Sequence, residues 1–216
     1  MNFVHMKTQF LYQGISSSNL ILFFSAFGSH PSHFRHLKSN KYDVLMCYSY
    51  ENIDLNLQDL IKPYENVYLI GWSLGVFAAA KLLQDYVFLK NLAINGTTAV
   101  LEILQITPEF YKKAMNEFNL LNFKKSIFAE RIEQTQEFAF KDESSLKQEL
   151  SNLLKFAMTP PNLRFLWDKV LISKQDKFFP PKACAEFFRH QSTLMVTNEP
   201  HFVFFGFNSW DELARL

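Results

Sequence analysis

Three residues of this chain have the chemistry of nucleophilic catalysis and occur in an order that suits it: Ser73, Asp176 and His201. Ser73 is the centre of Gly71-Trp72-Ser73-Leu74-Gly75, and with only 6 glycines in 216 residues, two flanking one serine is informative. Glycines at these two places let the backbone crowd through a sharp turn without Cβ clashes. A serine hydroxyl is a poor nucleophile at neutral pH and needs a base within hydrogen-bond reach, itself oriented by a third group. Asp176 closes the run Val170-Leu-Ile-Ser-Lys-Gln-Asp176, and His201 closes Leu194-Met-Val-Thr-Asn-Glu-Pro-His201. Each therefore falls just past a short apolar segment. The expected roles are nucleophile for Ser73, orienting anion for Asp176 and general base and acid for His201.

The elements around these residues must bring them together. Asn66 to Ile70 reads as a buried strand and Val76 to Leu83 as a helix, so Ser73 sits on a strand–turn–helix junction. That context resembles the nucleophile elbow of the α/β-hydrolases, in which acid and histidine follow later strands. Further strands are expected at Thr8–Tyr12, Leu20–Phe24, Tyr42–Tyr48, Phe88–Ile94, Lys169–Ser173 and Thr193–Thr197. The first two, joined by a turn-rich connection, read as a hairpin. Short helices are expected at His33–Leu37, Leu57–Ile61, Pro181–Arg189 and from near Ser209. This alternation predicts an α/β fold with a mostly parallel central sheet flanked by helices.

From Thr97 to Leu163 the strand signals stop. Phe110, Ala114, Phe118 and Leu121 read as one helical stripe, and Leu146, Leu150, Leu153, Leu154 and Ala157 as a second, ended by Pro160-Pro161. Residues 97–163 are therefore expected to form an inserted helical cap on a core built from residues 1–96 and 164–216. An oxyanion needs two main-chain donors. The expected ones are the N–H of Leu74, the residue after the nucleophile, and that of Phe27, in the loop after Leu20–Phe24. Trp72 beside the serine and Ala26 in that loop are expected substrate contacts.

Composition narrows the classes. A hydrophobic fraction of 48% supports one core, and a formal net charge of +1 offers no field for nucleic acid or anionic membrane. No signal peptide is visible at the N-terminus, and the apolar stretches are too short to span a bilayer, so a cytoplasmic protein is expected. Cys47 and Cys184 read as buried thiols. His30, His33 and His36 drift round a helix axis without a nearby carboxylate or cysteine. No metal site is expected there, and these histidines read as loop or surface residues.

Several segments together resemble the BioG-type pimeloyl-[acyl-carrier protein] methyl ester esterases of biotin synthesis. They are Leu20-Ile-Leu-Phe-Phe-Ser-Ala-Phe-Gly28, Tyr68-Leu-Ile-Gly-Trp-Ser-Leu-Gly75, Ala93-Ile-Asn-Gly-Thr97, Ser173-Lys-Gln-Asp176, Ile106-Thr-Pro-Glu-Phe110 and the late His201. The resemblance implies hydrolysis of a methyl ester at the far end of a pimeloyl chain on acyl-carrier protein, with no metal or dissociable cofactor. Its implied partner is the acidic carrier, which calls for a basic docking patch. Lys112, Lys113, Lys124, Lys125 and Arg131 against Glu117 and Glu130 are the stretch with such an excess. An acyl-thioesterase or broad short-chain esterase would use the same three residues. A non-catalytic binding module on this scaffold is the alternative of another class.

Overall fold

The computed structural model describes residues 6–16, 18–51, 53, 56–159 and 165–216. Its centre is a seven-stranded sheet: β1 (Lys7–Tyr12), β2 (Asn19–Phe24), β3 (Asp43–Tyr48), β4 (Asn66–Trp72), β5 (Lys90–Ile94), β6 (Lys169–Ser173) and β7 (Thr193–Thr197). The spatial order is β1-β3-β2-β4-β5-β6-β7. Only β1 runs antiparallel to its neighbour; the other pairs are parallel. Helices α1 (Gln58–Ile61), α2 (Leu74–Leu82), α7 (Pro181–Phe188) and α8 (Trp210–Arg215) accompany the strands. Between β5 and β6 lie α3 (Val100–Ile103), α4 (Pro108–Glu117), α5 (Leu120–Phe128), a 3-10 segment (Ala129–Thr135) and α6 (Glu143–Met158).

Side chains alternate across a strand, and here both faces are buried. Leu20, Leu22 and Phe24 of β2 join a core with α2, α6 and α7, while Ile21 and Phe23 join a second with Phe34, Phe202, Phe204 and Trp210. Burial on both faces is why β2 and the end of β4 read as continuous apolar runs. Much of the chain's phenylalanine is spent in the second core, where Phe23, Phe34, Phe128, Phe202 and Phe204 pack with centroids 5.0–5.9 Å apart.

Three sequence expectations need correction. The first two strands are not a hairpin, because β3 lies between them. Asp43, at the head of β3, accepts the N–H groups of Gly14, Ile15 and Ser16 and the Tyr64 hydroxyl, so the connection is pinned across β3. The stripe through Phe110 and Leu121 is not one helix. Phe118 turns to extended backbone (ψ 125°), Asn119 caps α5 through its side chain, and Phe110 and Leu121 are both exposed. His33 is not a surface histidine: it is buried in a 3-10 turn (Pro31–Phe34) against Phe138 and Phe140. The expected helix stop at Pro160-Pro161 lies outside the described residues. The second stripe does form one helix, α6, with Leu146, Leu153, Leu154 and Ala157 buried. Among the described residues, no helix is long and apolar enough to cross a membrane.

Candidate active site

Ser73 stands between the last residue of β4 and the first of α2 with φ 58° and ψ −129°. A non-glycine residue in that region is strained by about 1–3 kcal/mol and persists only where its surroundings over-determine it. They do so here. The Ser73 N–H donates to Ile94 O at 2.9 Å, and its carbonyl accepts from Val76 N at 3.1 Å. Gly75 passes so close to β2 that a Cβ there would lie 2.3 Å from Phe24 O and 2.4 Å from Ser25 O. The elbow read from the sequence is thus tight packing of α2 on the end of β2, with glycine as its condition.

Asp176 and His201 come from the loops after β6 and β7. Asp176 Oδ1 accepts from the Phe178 and Phe179 N–H groups at 2.7 and 3.0 Å, and Oδ2 lies 2.8 Å from His201 Nδ1. Both side chains are buried. With Nδ1–H donated to the carboxylate, the His201 ring presents its Nε2 lone pair elsewhere. The ring is held among Trp72, Phe178 and Phe179, the last stacked at 6°.

The main chain of His201 is held as well. Its carbonyl accepts from Trp72 Nε1 at 3.0 Å and from Asn95 Nδ2 at 2.9 Å. Asn95, buried with φ 44°, also donates to Ser173 Oγ at 2.7 Å and accepts from Ser173 N at 2.7 Å. Ser173 Oγ in turn donates to Pro200 O at 3.0 Å. This network joins the ends of β4, β5 and β6 to the histidine loop, and sequence reasoning did not find it. Its only local signal was Asn95-Gly96 ending a strand, since asparagine tolerates positive φ.

Ser73, His201, Ala26, Phe27 and Leu74 line one cavity of about 680 Å³. Leu104, Phe118, Phe123, Leu150 and Leu154, from the segment between β5 and β6, line it as well, and Phe178 and Phe179 line another side. Exposed Gln105, Lys113, Glu117, Asn119, Asn122 and Lys177 form its polar edge. Leu74 opens α2, so its N–H has no intrahelical acceptor. The Phe27 loop is tied down by Ser25 N and Oγ to Cys47 O, Tyr50 Oη to Ser25 O and Ser29 N to Ala26 O.

Other expected residues fare differently. Trp72 does not reach the cavity. It is the strand residue facing the opposite side of the sheet, 1% exposed among Phe34, Phe202 and Phe204, so its part is positional. The basic residues stand in different surroundings. Lys113 is at the cavity edge, 4.0 Å from Glu117, and Lys124 lies over the Phe140 ring. Arg131 pairs with Glu199 at 2.8 Å, while Lys112 and Lys125 are exposed. His33 Nε2 donates to Ala139 O at 2.7 Å, and burial drives its pKa down to about 3. His36 Nε2 lies 3.0 Å from Phe204 O, and His30 Nδ1 3.0 Å from Ser32 Oγ. Burial pushes the Cys184 thiol up to about 12 and Cys47 higher still, which suits inert packing groups.

A mostly parallel sheet, a strained serine elbow, and a cavity lined by that serine and by a histidine bonded to a buried aspartate define an α/β-hydrolase fold. Solved hydrolases share this fold, among them an enol-lactonase from Burkholderia xenovorans (TM-score 0.68, 12% identity, 97% of this chain and 94% of that one). Residues 6–213 match the family described as pimeloyl-ACP methyl esterase BioG, and the chain belongs to that family. The crystal structure of BioG from Haemophilus influenzae superposes with a TM-score of 0.86 at 26% identity, over 96% of this chain and 99% of that one. An uncharacterized protein of Haemophilus influenzae is 30% identical over 96% of this chain and 99% of its own length. A malonyl-[acyl-carrier protein] O-methyltransferase of Bacteroides fragilis is 31% identical over 75% of this chain, which accounts for 35% of that longer protein.

Proposed function

We propose that the chain is a serine carboxylesterase that removes the methyl ester from pimeloyl-acyl-carrier protein through an acyl-enzyme. The observation that carries this reading is the buried Asp176–His201 hydrogen bond opening on the same cavity as the strained Ser73. In the reaction, Ser73 Oγ attacks the ester carbonyl carbon while His201 Nε2 takes its proton. The Leu74 and Phe27 N–H groups receive the oxyanion. Collapse breaks the carbon–oxygen bond to the methoxy group, which leaves as methanol with the proton held by His201. Water then attacks the acyl-enzyme with His201 as base, freeing the carboxylate and restoring Ser73. No metal or dissociable cofactor enters these steps.

The apolar cavity under residues 97–163, read as a cap, suits the hydrocarbon middle of a pimeloyl chain. Kinship with part of a protein named for methylating a carrier-bound acyl group fits an enzyme that removes such a methyl later. The acidic carrier would dock in the cytoplasm through Lys112, Lys113, Lys124, Lys125 and Arg131, of which Lys113 lines the cavity edge. Charge reversal at the four lysines should raise KM for the carrier substrate and leave a small aryl ester unaffected. An unchanged KM would remove that surface from the proposal.

The deciding experiment is mass spectrometry of methyl-pimeloyl acyl-carrier protein after incubation with the wild type and with Ser73→Ala. Loss of the methyl group with the thioester intact, by the wild type alone, is the expected result. Release of the acyl chain from the carrier would make the enzyme a thioesterase. Failure of Ser73 to react with a fluorophosphonate would favour a binding module instead.

A further inference from the structure

Glu149 is fully buried in α6, and nothing in the chemistry above uses it. One carboxylate oxygen accepts the Gly28 N–H at 3.2 Å and the other accepts Lys141 Nζ at 2.8 Å. Lys141 also donates to Glu51 at 2.7 Å and to Ser49 Oγ at 2.6 Å, just past the end of β3. A buried ion pair is weak evidence for stability, because desolvating two charges offsets most of their attraction. Its location matters more. Gly28 directly follows Phe27, whose N–H is assigned above to the oxyanion.

The local backbone makes that adjacency meaningful. Ser29 N donates to Ala26 O at 3.2 Å, closing a four-residue turn, and Gly28 has φ 69°. Positive φ at the third position is what a type II turn requires. Types I and II differ by a flip of the central peptide, here Phe27–Gly28. Its N–H is the group that Glu149 accepts. The Ala26 carbonyl engaged by Ser29 fixes the peptide before it, whose N–H is that of Phe27.

We propose that Glu149 is a positioning residue for the oxyanion site: it reaches from the helical insertion to lock the Phe27–Gly28 peptide, and Lys141 holds its carboxylate in place. This rests on the catalytic reading given above. Glu149 touches no substrate and acts through the loop. Its contribution therefore grows as charge develops on the carbonyl oxygen, and falls on kcat rather than on KM.

The test compares two double variants on a p-nitrophenyl ester. Lys141→Met with Glu149→Gln removes both charges but keeps an amide oxygen for Gly28. Lys141→Met with Glu149→Leu removes both charges and the acceptor. The first should keep kcat within about threefold of wild type, and the second should lose about ten- to a hundredfold, since deleting a whole oxyanion donor costs about 10²–10³. Affinity for an aryl boronic acid, which forms a tetrahedral adduct on the serine, should fall in parallel, with KM little changed. Equal kcat in the two pairs, or a loss confined to KM, would overturn the proposal. So would equal losses in both, which would mark a purely structural ion pair. Glu149→Asp keeps the charge beside Lys141 but draws the oxygen back from Gly28. If a double variant does not fold, it carries the same test: a fall in kcat supports the proposal and an unchanged kcat refutes it. Wild-type turnover that disappears in Ser73→Ala checks the catalytic reading independently, so the two failures are distinguishable.

Discussion

Asn95→Ala should damage stability and turnover together, by amounts that follow from the network around Asn95. The substitution removes two donated hydrogen bonds, to Ser173 Oγ and His201 O, and one accepted from Ser173 N, all at a buried site. At about 1 kcal/mol net each, that is about 3 kcal/mol. Alanine at φ 44° adds about 1 kcal/mol, because its Cβ crowds the following carbonyl where asparagine is better tolerated. The expected loss is about 4 kcal/mol by urea denaturation, and Asn95→Gly, which removes the backbone strain, should recover about 1 kcal/mol of it. The His201 carbonyl keeps its bond from Trp72, so the imidazole shifts rather than swings free. A displacement below 1 Å predicts a ten- to hundredfold fall in kcat on an aryl ester, given that about 1 Å costs about 10²-fold. A destabilisation under about 1 kcal/mol would show that the network carries no load. Full loss of stability with kcat intact would show that it does not set the histidine.

Asp176→Asn should lower kcat by about 10⁴-fold, because an amide no longer holds Nδ1–H of His201 toward the carboxylate position; the pH–rate profile with an aryl ester checks this. Gly75→Ala should destabilise by more than about 2 kcal/mol and abolish fluorophosphonate labelling, because its Cβ would collide with the Phe24 and Ser25 carbonyls. His33 gives a pH signature. Its folded pKa of about 3 lies below the ordinary 6.5, so the unfolded chain binds the proton first and stability present above pH 6.5 is lost as pH falls toward 3. Between pH 7 and pH 5 this amounts to about 2 kcal/mol. His33→Gln, which keeps a donor for Ala139 O and cannot titrate, should flatten that slope in denaturant titrations.

The positions of Ser73, Asp176 and His201 at strand ends were legible in the sequence because each is marked locally, by a glycine-flanked turn or by a loop just past a short apolar strand. Strand positions were legible for the same reason, as in Leu20–Phe24 and Val170–Ser173, whose side chains are buried on both faces. Strand order was not, since β1 pairs with β3 rather than with β2, which follows it in the chain, and nothing local marks a partner that far along. The same holds for side-chain direction. Trp72 adjoins the serine in sequence, yet strand alternation sends it to the opposite core, where its indole holds the His201 carbonyl. Asn95, Ser173 and Glu149 took their parts only from tertiary structure, through hydrogen bonds spanning 78 to 121 positions of chain. The sequence by itself thus determined which groups are available for chemistry and which turns present them. Packing of strand ends and of α6 decided how those groups are held, because a hydrogen bond between distant segments leaves no periodicity or spacing to read.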